Sequence, residues 1–287
     1  MSHPTLSQPR RSFGFASVAA GLALAGCSTM LEHGVMGPEA TYSASPANIA
    51  SLTEVIQSQP NDPQAYNMRG TVLASSGRRK EALLDFNKAI QLDPKYAEAY
   101  ANRGLVHRQN GQPDLAIKDY DAALRIDENY ATALLGRGLA WRDKKQTMRA
   151  LEDFNRAIAI RPDNAQAYYN RGLLYQGTGQ HQFAIDDFST AATLAPREAD
   201  PWIARALSYL AIGDAKAAAS DLDNAVQLDE QNFAAWTSRG LAYERLGDKE
   251  KAAGSYAKAI NIQQNYAPAA EGFRRVGGQY GRTYQAF

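Results

Sequence analysis

The sequence predicts an all-α solenoid, grown by stacking one small unit rather than folded around a single core. Three observations carry that expectation. A 34-residue stretch, clearest at Ala97–Tyr130, recurs in register at residues 63–96, 97–130, 131–164, 165–198, 199–232 and 233–266. Small residues stand at the same places of every copy. Gly and Pro punctuate the copies where two short helices should end. One copy cannot bury its own apolar face, so the copies must stack.

Places are counted from the start of each copy. The eighth holds Gly70, Gly104, Gly138, Gly172, Ala206 and Gly240. Gly inside a helix costs about 1 kcal/mol relative to Ala, so its recurrence implies that another helix passes too close for a side chain. The twentieth and twenty-seventh places are Ala throughout, from Ala82 and Ala89 to Ala252 and Ala259. Large residues fill the fourth place (Tyr66, Tyr100, Leu134, Tyr168, Trp202, Trp236) and the twenty-fourth (Phe86, Tyr120, Phe154, Phe188, Leu222, Tyr256). Small against large describes two closely packed helices with rings plugging the seam. Gly77, Gly111, Gly179, Gly213 and Gly247 suit the left-handed position that ends a first helix. Lys145 stands there in repeat three, which predicts a less regular turn. Pro94, Pro162 and Pro196 close second helices, and Asp62-Pro63 forms an N-cap with Pro at the first helical position.

These places resemble the tetratricopeptide repeat family. The likeness rests on the small eighth residue, the aromatics at places four, eleven and twenty-four, Ala at twenty and twenty-seven, and Pro at thirty-two. It covers 204 of the 287 residues. It implies a right-handed superhelix of six full repeats with a half-repeat helix at each end. One departure is consistent: the seventh place, often large and apolar in the family, is Arg in every copy.

Composition sets outer bounds. There are 31 basic and 30 acidic residues, and 29 against 30 without Arg10 and Arg11. That balance gives no clustered basic surface for nucleic acid. With one cysteine the chain forms no internal disulfide. No His, Cys or acidic cluster has metal-ligand spacing, and no phosphate loop or nucleophile–His–acid set is recognisable. The expectation is therefore no enzyme: no catalytic residue, no metal, no cofactor and no small-molecule substrate.

The start of the chain reads differently. Arg10-Arg11 precedes an apolar run from Phe13 to Ala25, which ends in Leu24-Ala25-Gly26-Cys27. A basic start, a short apolar core and small residues make a secretion signal. The run is too short for a bilayer, which takes about 20 helical residues. The ending resembles a bacterial lipobox, which implies cleavage before Cys27 and lipid on its thiol and amine. Several acyl chains would anchor the protein almost permanently. By resemblance to enterobacterial lipoproteins, Ser28 after the cysteine points to the outer membrane, on its periplasmic side. The expected divisions are a signal peptide at 1–26, a lipidated tether at 27–45, a capping half-repeat at 46–62, six repeats at 63–266, a capping helix at 267–278 and a tail at 279–287. In the half-repeat, Ile49, Leu52 and Ile56 should pack on the helix that holds Tyr66. Tyr280, Tyr284 and Phe287 should dock the tail, onto the last hairpin or into the groove.

The family resemblance also implies where partners bind: first helices line a concave groove at places two, five, six, nine, twelve and thirteen. Here those places supply Asn67, Asn102, Arg108, Arg142, Tyr169, Asn170, Gln176 and Glu244, among others. Such a groove would hold a peptide or partner helix of another protein. The leucines at place nine (Leu105, Leu139, Leu173, Leu207, Leu241) either line it or pack neighbouring first helices. The Lys and Asn pairs of the family's chaperone-tail clamps are missing, so capture of a chain-terminal carboxylate is not expected. The place-seven arginines recur with Asp85, Asp119, Asp153, Asp187 and Asp221 at place twenty-three. Charge pairs follow, within a repeat or between repeats; the spacing leaves that open. The resulting expectation is a lipid-anchored periplasmic scaffold that binds envelope proteins such as a protease or peptidoglycan hydrolases, with homodimerisation left open. Two rivals remain: a pilotin that assists secretin or pilus assembly, and an accessory subunit of a glycosyltransferase.

Overall fold

The computed structural model describes residues 45–284, so Cys27 and the leader lie outside it, as does Phe287. The described residues form fourteen α-helices. A first helix, α1 (Pro46–Ser58), precedes six hairpins. These are α2 (Pro63–Ser75) with α3 (Arg79–Leu92), α4 (Ala97–Gln109) with α5 (Pro113–Ile126), and α6 (Ala131–Asp143) with α7 (Thr147–Ile160). Then come α8 (Ala165–Gly177) with α9 (His181–Leu194), α10 (Ala199–Ile212) with α11 (Ala215–Leu228), and α12 (Phe233–Arg245) with α13 (Lys249–Ile262). A last helix, α14 (Ala267–Arg275), ends the stack. The described residues thus form an all-α repeat solenoid of six hairpins flanked by one helix on either side.

Close approach explains place eight. A Cβ on Gly70, Gly138, Gly172 or Gly240 would sit 2.6–2.7 Å from the ring at place twenty-four of the same hairpin. Repeat five shows the complement: its eighth residue is Ala206, and there the ring is replaced by Leu222. Both are fully buried. The turns close alike. In repeat two, Gly111 N–H donates to Arg108 O at 2.9 Å and Gln112 N–H to His107 O at 2.9 Å. In repeat three, Lys145 and Gln146 repeat this pattern at 2.8 and 2.9 Å, with Lys145 at φ 59°. The irregular turn expected there is not found. The turn keeps its shape and Lys145 takes the strain, since a left-handed backbone crowds a Cβ.

The ends follow the same rules. Leu52 and Ile56 of α1 are buried, and Ile49 packs against the cluster of Leu73, Ala82 and Phe86. At the other end the described part of the tail, 279–284, returns to the last hairpin rather than the groove. Tyr280 and Tyr284 lie 5.1 and 5.7 Å from Phe273, and Arg282 pairs with Glu250 at 2.9 Å. A cavity of about 270 Å³ remains between this strap and Ala257 and Ile260 of α13.

Candidate functional site: the inner face

Successive first helices touch one another, whereas successive second helices do not to a comparable degree. The first helices therefore occupy the shorter, inner arc of the superhelix, and their outward places form a concave face.

The arginines at place seven stitch this stack from within. Arg69, Arg103, Arg137, Arg171 and Arg205 each hold the aspartate sixteen residues on, through Nε and Nη2, at 2.6–2.9 Å. Two parallel bonds of this kind fix geometry as well as charge. The remaining Nη1 reaches the residue sixteen back, on the preceding second helix: Thr53, Asn87, Asp121, Asn155 or Ser189, at 2.6–3.2 Å. Pairing is thus within and between repeats at once. Thr53 shows α1 serving as the second helix of an absent repeat. Arg239 reverses the arrangement, taking Asp223 of the preceding repeat at 2.6 Å and Ser255 of its own at 2.7 Å. Rings at place four lie beneath five of the guanidiniums, from Trp202 at 4.9 Å to Tyr66 at 6.0 Å.

Several residues expected to meet a partner instead join the repeats. Asn67 is 1% exposed and donates to Tyr96 Oη at 3.1 Å and Glu98 Oε1 at 3.0 Å. Asn102 donates to Asn67 Oδ1 at 3.0 Å and is 9% exposed. Tyr169 and Asn170 are also 1% exposed; Tyr169 packs against Phe188 and Asn170 accepts from Arg142. These four lie below the surface of the groove. Leu105 and Leu139 are buried as well, while Leu173, Leu207 and Leu241 stay half-buried, so place nine packs helices early in the stack and opens later.

Place twelve is where the inner face keeps its chemistry. Arg108 Nη1 donates to Asp143 Oδ2 at 3.3 Å. The Arg142 guanidinium is deeply set with the neutral Asn170 as its hydrogen-bond acceptor, and burial pulls its pKa below the ordinary arginine value. Gln176 donates to Ala204 O at 2.8 Å and Ser208 Oγ at 2.9 Å. Glu244 accepts from Arg275 at 2.5 and 2.8 Å and from the Tyr256 hydroxyl at 2.7 Å. Against the upward push of burial, those donors hold the Glu244 carboxyl below its usual range.

One arrangement escaped the sequence reading. Where place twenty-four is Tyr, the sixth place of the following copy is Gly: Tyr120 with Gly136, and Tyr256 with Gly272. A Cβ on either glycine would lie 2.3–2.6 Å from the ring or hydroxyl. The bare backbone lets each tyrosine run through the seam to the inner face. The spacing of sixteen between Tyr and Gly is the sequence signal of this arrangement. Among the described residues no His, Cys, Asp and Glu group could hold a metal, and no helix is long and apolar enough to cross a membrane.

Comparison with known proteins follows the same lines. A family model described as TPR repeat matches residues 70–111 and 139–179. Models described as tetratricopeptide repeat match 97–130, 165–198 and 203–270. No curated protein matches. Among solved structures, the chain is similar to one from the APC/C hetero-tetramer Cut9-Hcn1, with 18% identity over 82% of this chain and TM-score 0.68. It spans only 46% of that chain. It is similar to YrrB, described as a TPR protein with an unusual peptide-binding site: 24% identity, 66% of this chain, 97% of that one and TM-score 0.58. It is also similar to Pseudomonas aeruginosa pilF, with 20% identity, 73% and 95% coverage and TM-score 0.67. At these identities the likeness is one of fold. The family matches, the six-fold 34-residue period and the hairpin stack agree: this chain belongs to the tetratricopeptide repeat family.

Proposed function

We propose that this protein is a lipid-anchored scaffold on the periplasmic side of the bacterial outer membrane, holding envelope proteins in its inner face. Repeat proteins of this family generally mediate protein–protein interaction. The observation that carries the finer reading is Leu24-Ala25-Gly26-Cys27 placed ahead of the solenoid. A lipidated Cys27 with the stretch up to Ser45 as tether would hold the repeats off the membrane with the concave face free. Candidate partners are a processing protease and peptidoglycan hydrolases, brought together on one surface. Gln109 and Leu173 are open enough to report contact, being half-buried on inner-face places.

Two measurements test this. Radiolabelled palmitate should label the wild type and not Cys27→Ala; equal labelling removes the anchor from the reading. A photoreactive residue at 109 or 173 should cross-link wall hydrolases or a protease in cells. A secretin cross-link would make the protein a pilotin instead, a role that the fold likeness to pilF does not discriminate. Cross-links confined to this chain would remove the groove as the working surface.

A further inference from the structure

The two tyrosines that cross the seam end in unlike surroundings. The Tyr256 hydroxyl meets a carboxylate, Glu244 at place twelve of its own repeat, and Arg275 holds that carboxylate from the other side. The Tyr120 hydroxyl, equally buried and passing the equivalent glycine, has no hydrogen-bond partner among the described residues. Place twelve of its own repeat is Arg108 rather than Glu. Arg108 Nε is buried and also lacks a partner. A buried hydroxyl or guanidinium N–H left unbonded is costly, and native structures rarely keep one without a use. Arg108 Nε–H can only donate and the Tyr120 hydroxyl can donate, so a single acceptor would serve both.

The charges nearby say which acceptor. Arg108 and Arg142 are close enough to repel each other, and Asp143 is the carboxylate both of them feel. Asp143 is held by Arg108 at 3.3 Å, while the Arg142 hydrogen bond goes to the neutral Asn170. Two guanidiniums thus share one carboxylate in a setting that burial makes unfavourable for charge. A second carboxylate would balance them and take both idle donors.

We propose that the inner face at repeats two to four receives an acidic side chain of a docked protein segment, its carboxylate accepting from the Tyr120 hydroxyl and Arg108 Nε, with Arg142 as the second positive charge. Glu244 shows within the same chain that a carboxylate can accept from a seam-crossing tyrosine with an arginine on its other side, although there the carboxylate comes from place twelve itself and the arginine from place nine of the next copy. The proposal rests on the inner face being the docking surface and names the chemistry of what docks there. Entry requires Arg108 to release Asp143, which is its one hydrogen bond among the described residues.

The test probes a random-sequence peptide array with the purified full-length protein. Bound peptides should be enriched in Asp or Glu at one position. Replacing that residue by Gln or Asn in a bound peptide should weaken binding about tenfold in solution, the loss expected for a charge-assisted bond. Tyr120→Phe, a residue that place twenty-four already carries in three repeats, should remove the acidic preference while leaving the melting curve and residual peptide binding in place. Arg142→Gln should do the same. Arg108→Glu should supply the carboxylate from within and abolish capture of acidic peptides. Bound peptides without acidic enrichment would overturn the carboxylate pocket and leave the docking surface standing. An array with no bound peptides would overturn the pocket, and the in-cell cross-links from positions 109 and 173 decide the surface separately.

Discussion

Repeat three, residues 131–164, and repeat six, residues 233–266, depart from the shared pattern in opposite directions. In repeat three the fourth place is Leu134, so the arginine has no ring beneath it from that place. Arg137 instead holds two carboxylates, Asp153 of its own hairpin and Asp121 of the preceding one. In repeat six the twenty-third place is Ser255, so the hairpin supplies no carboxylate. Arg239 takes Asp223 from its neighbour and lies over two rings, Trp236 at 5.4 Å and Tyr243 at 4.8 Å. Both guanidiniums stay put. What varies is whether acid or ring surrounds them, and which hairpin provides the acid. The fixed element is the cation between two second helices; its counter-charge can move by a whole repeat.

This comparison is broken most strongly by removing the doubled rung. Arg137→Met should cost about 3–5 kcal/mol, because Asp153, 2% exposed in its side chain, is left charged and unpaired. Urea unfolding reads the loss. Burial already raises the Asp153 pKa against the pull of Arg137, and without the arginine the rise is larger. A folded-state pKa above the unfolded value means that the folded state binds more protons, so stability rises as pH falls through that value. The deficit of the variant should therefore narrow as the pH is lowered from neutral through the raised Asp153 value. A deficit that stays constant would place the cost elsewhere than on Asp153.

Arg239→Met should cost less, about 1–3 kcal/mol. Asp223 is a third exposed and keeps the Tyr243 hydroxyl at 2.8 Å. Its effect should be local: hydrogen exchange should quicken first in α12, α13 and α14, since the lost bonds join that end to the rest. Uniform quickening along the chain would contradict a rung that spans only adjacent repeats.

Two changes should erase the differences. Ser255→Asp restores the missing acid and should stabilise by about 1 kcal/mol, provided that Arg239 takes it in the same two-bond grip as elsewhere. A melting temperature at or below that of the wild type would show that the rung is already satisfied by its neighbour. Lys145→Gly relaxes the one non-glycine turn and should stabilise by about 0.5–1 kcal/mol. Unchanged stability would mean that the lysine's gain in unfolded-state stiffness equals its strain.

The architecture was legible because it is written six times. Place eight, the turns and the ring-against-glycine packing follow from period and residue size alone. The direction of the arginine pairs was not legible, since a guanidinium at place seven stands sixteen residues from an acceptor on either side. Lys145 misled because the sequence shows the unfavourable residue and not the hydrogen bonds of its neighbours, which hold the turn. Asn67, Tyr169 and Asn170 fell on groove places, yet the close stacking of first helices submerges them. Submersion depends on how far one hairpin rotates against the next, and no single copy records that angle. Arg108 and Arg142 could be placed on the inner face from sequence. That the Tyr120 ring and hydroxyl pass against the bare backbone of Gly136 could not, because it depends on the tilt of the ring across the seam.

The rungs also say something about how such a chain changes length over evolutionary time. Each arginine reaches sixteen residues forward and sixteen back, and no farther. Excising residues 165–198 would bring Asn155 to the place that Ser189 holds before Arg205, and Asn155 already serves Arg171 in that role. Every other rung would keep its partners. A gene encoding this protein can therefore lose a copy such as 165–198 by unequal recombination without stranding a rung arginine or its aspartate, whereas loss of 199–232 would take Asp223 from Arg239, so the reach of the inner face can be adjusted by whole hairpins only where the neighbouring rung carries its own acid.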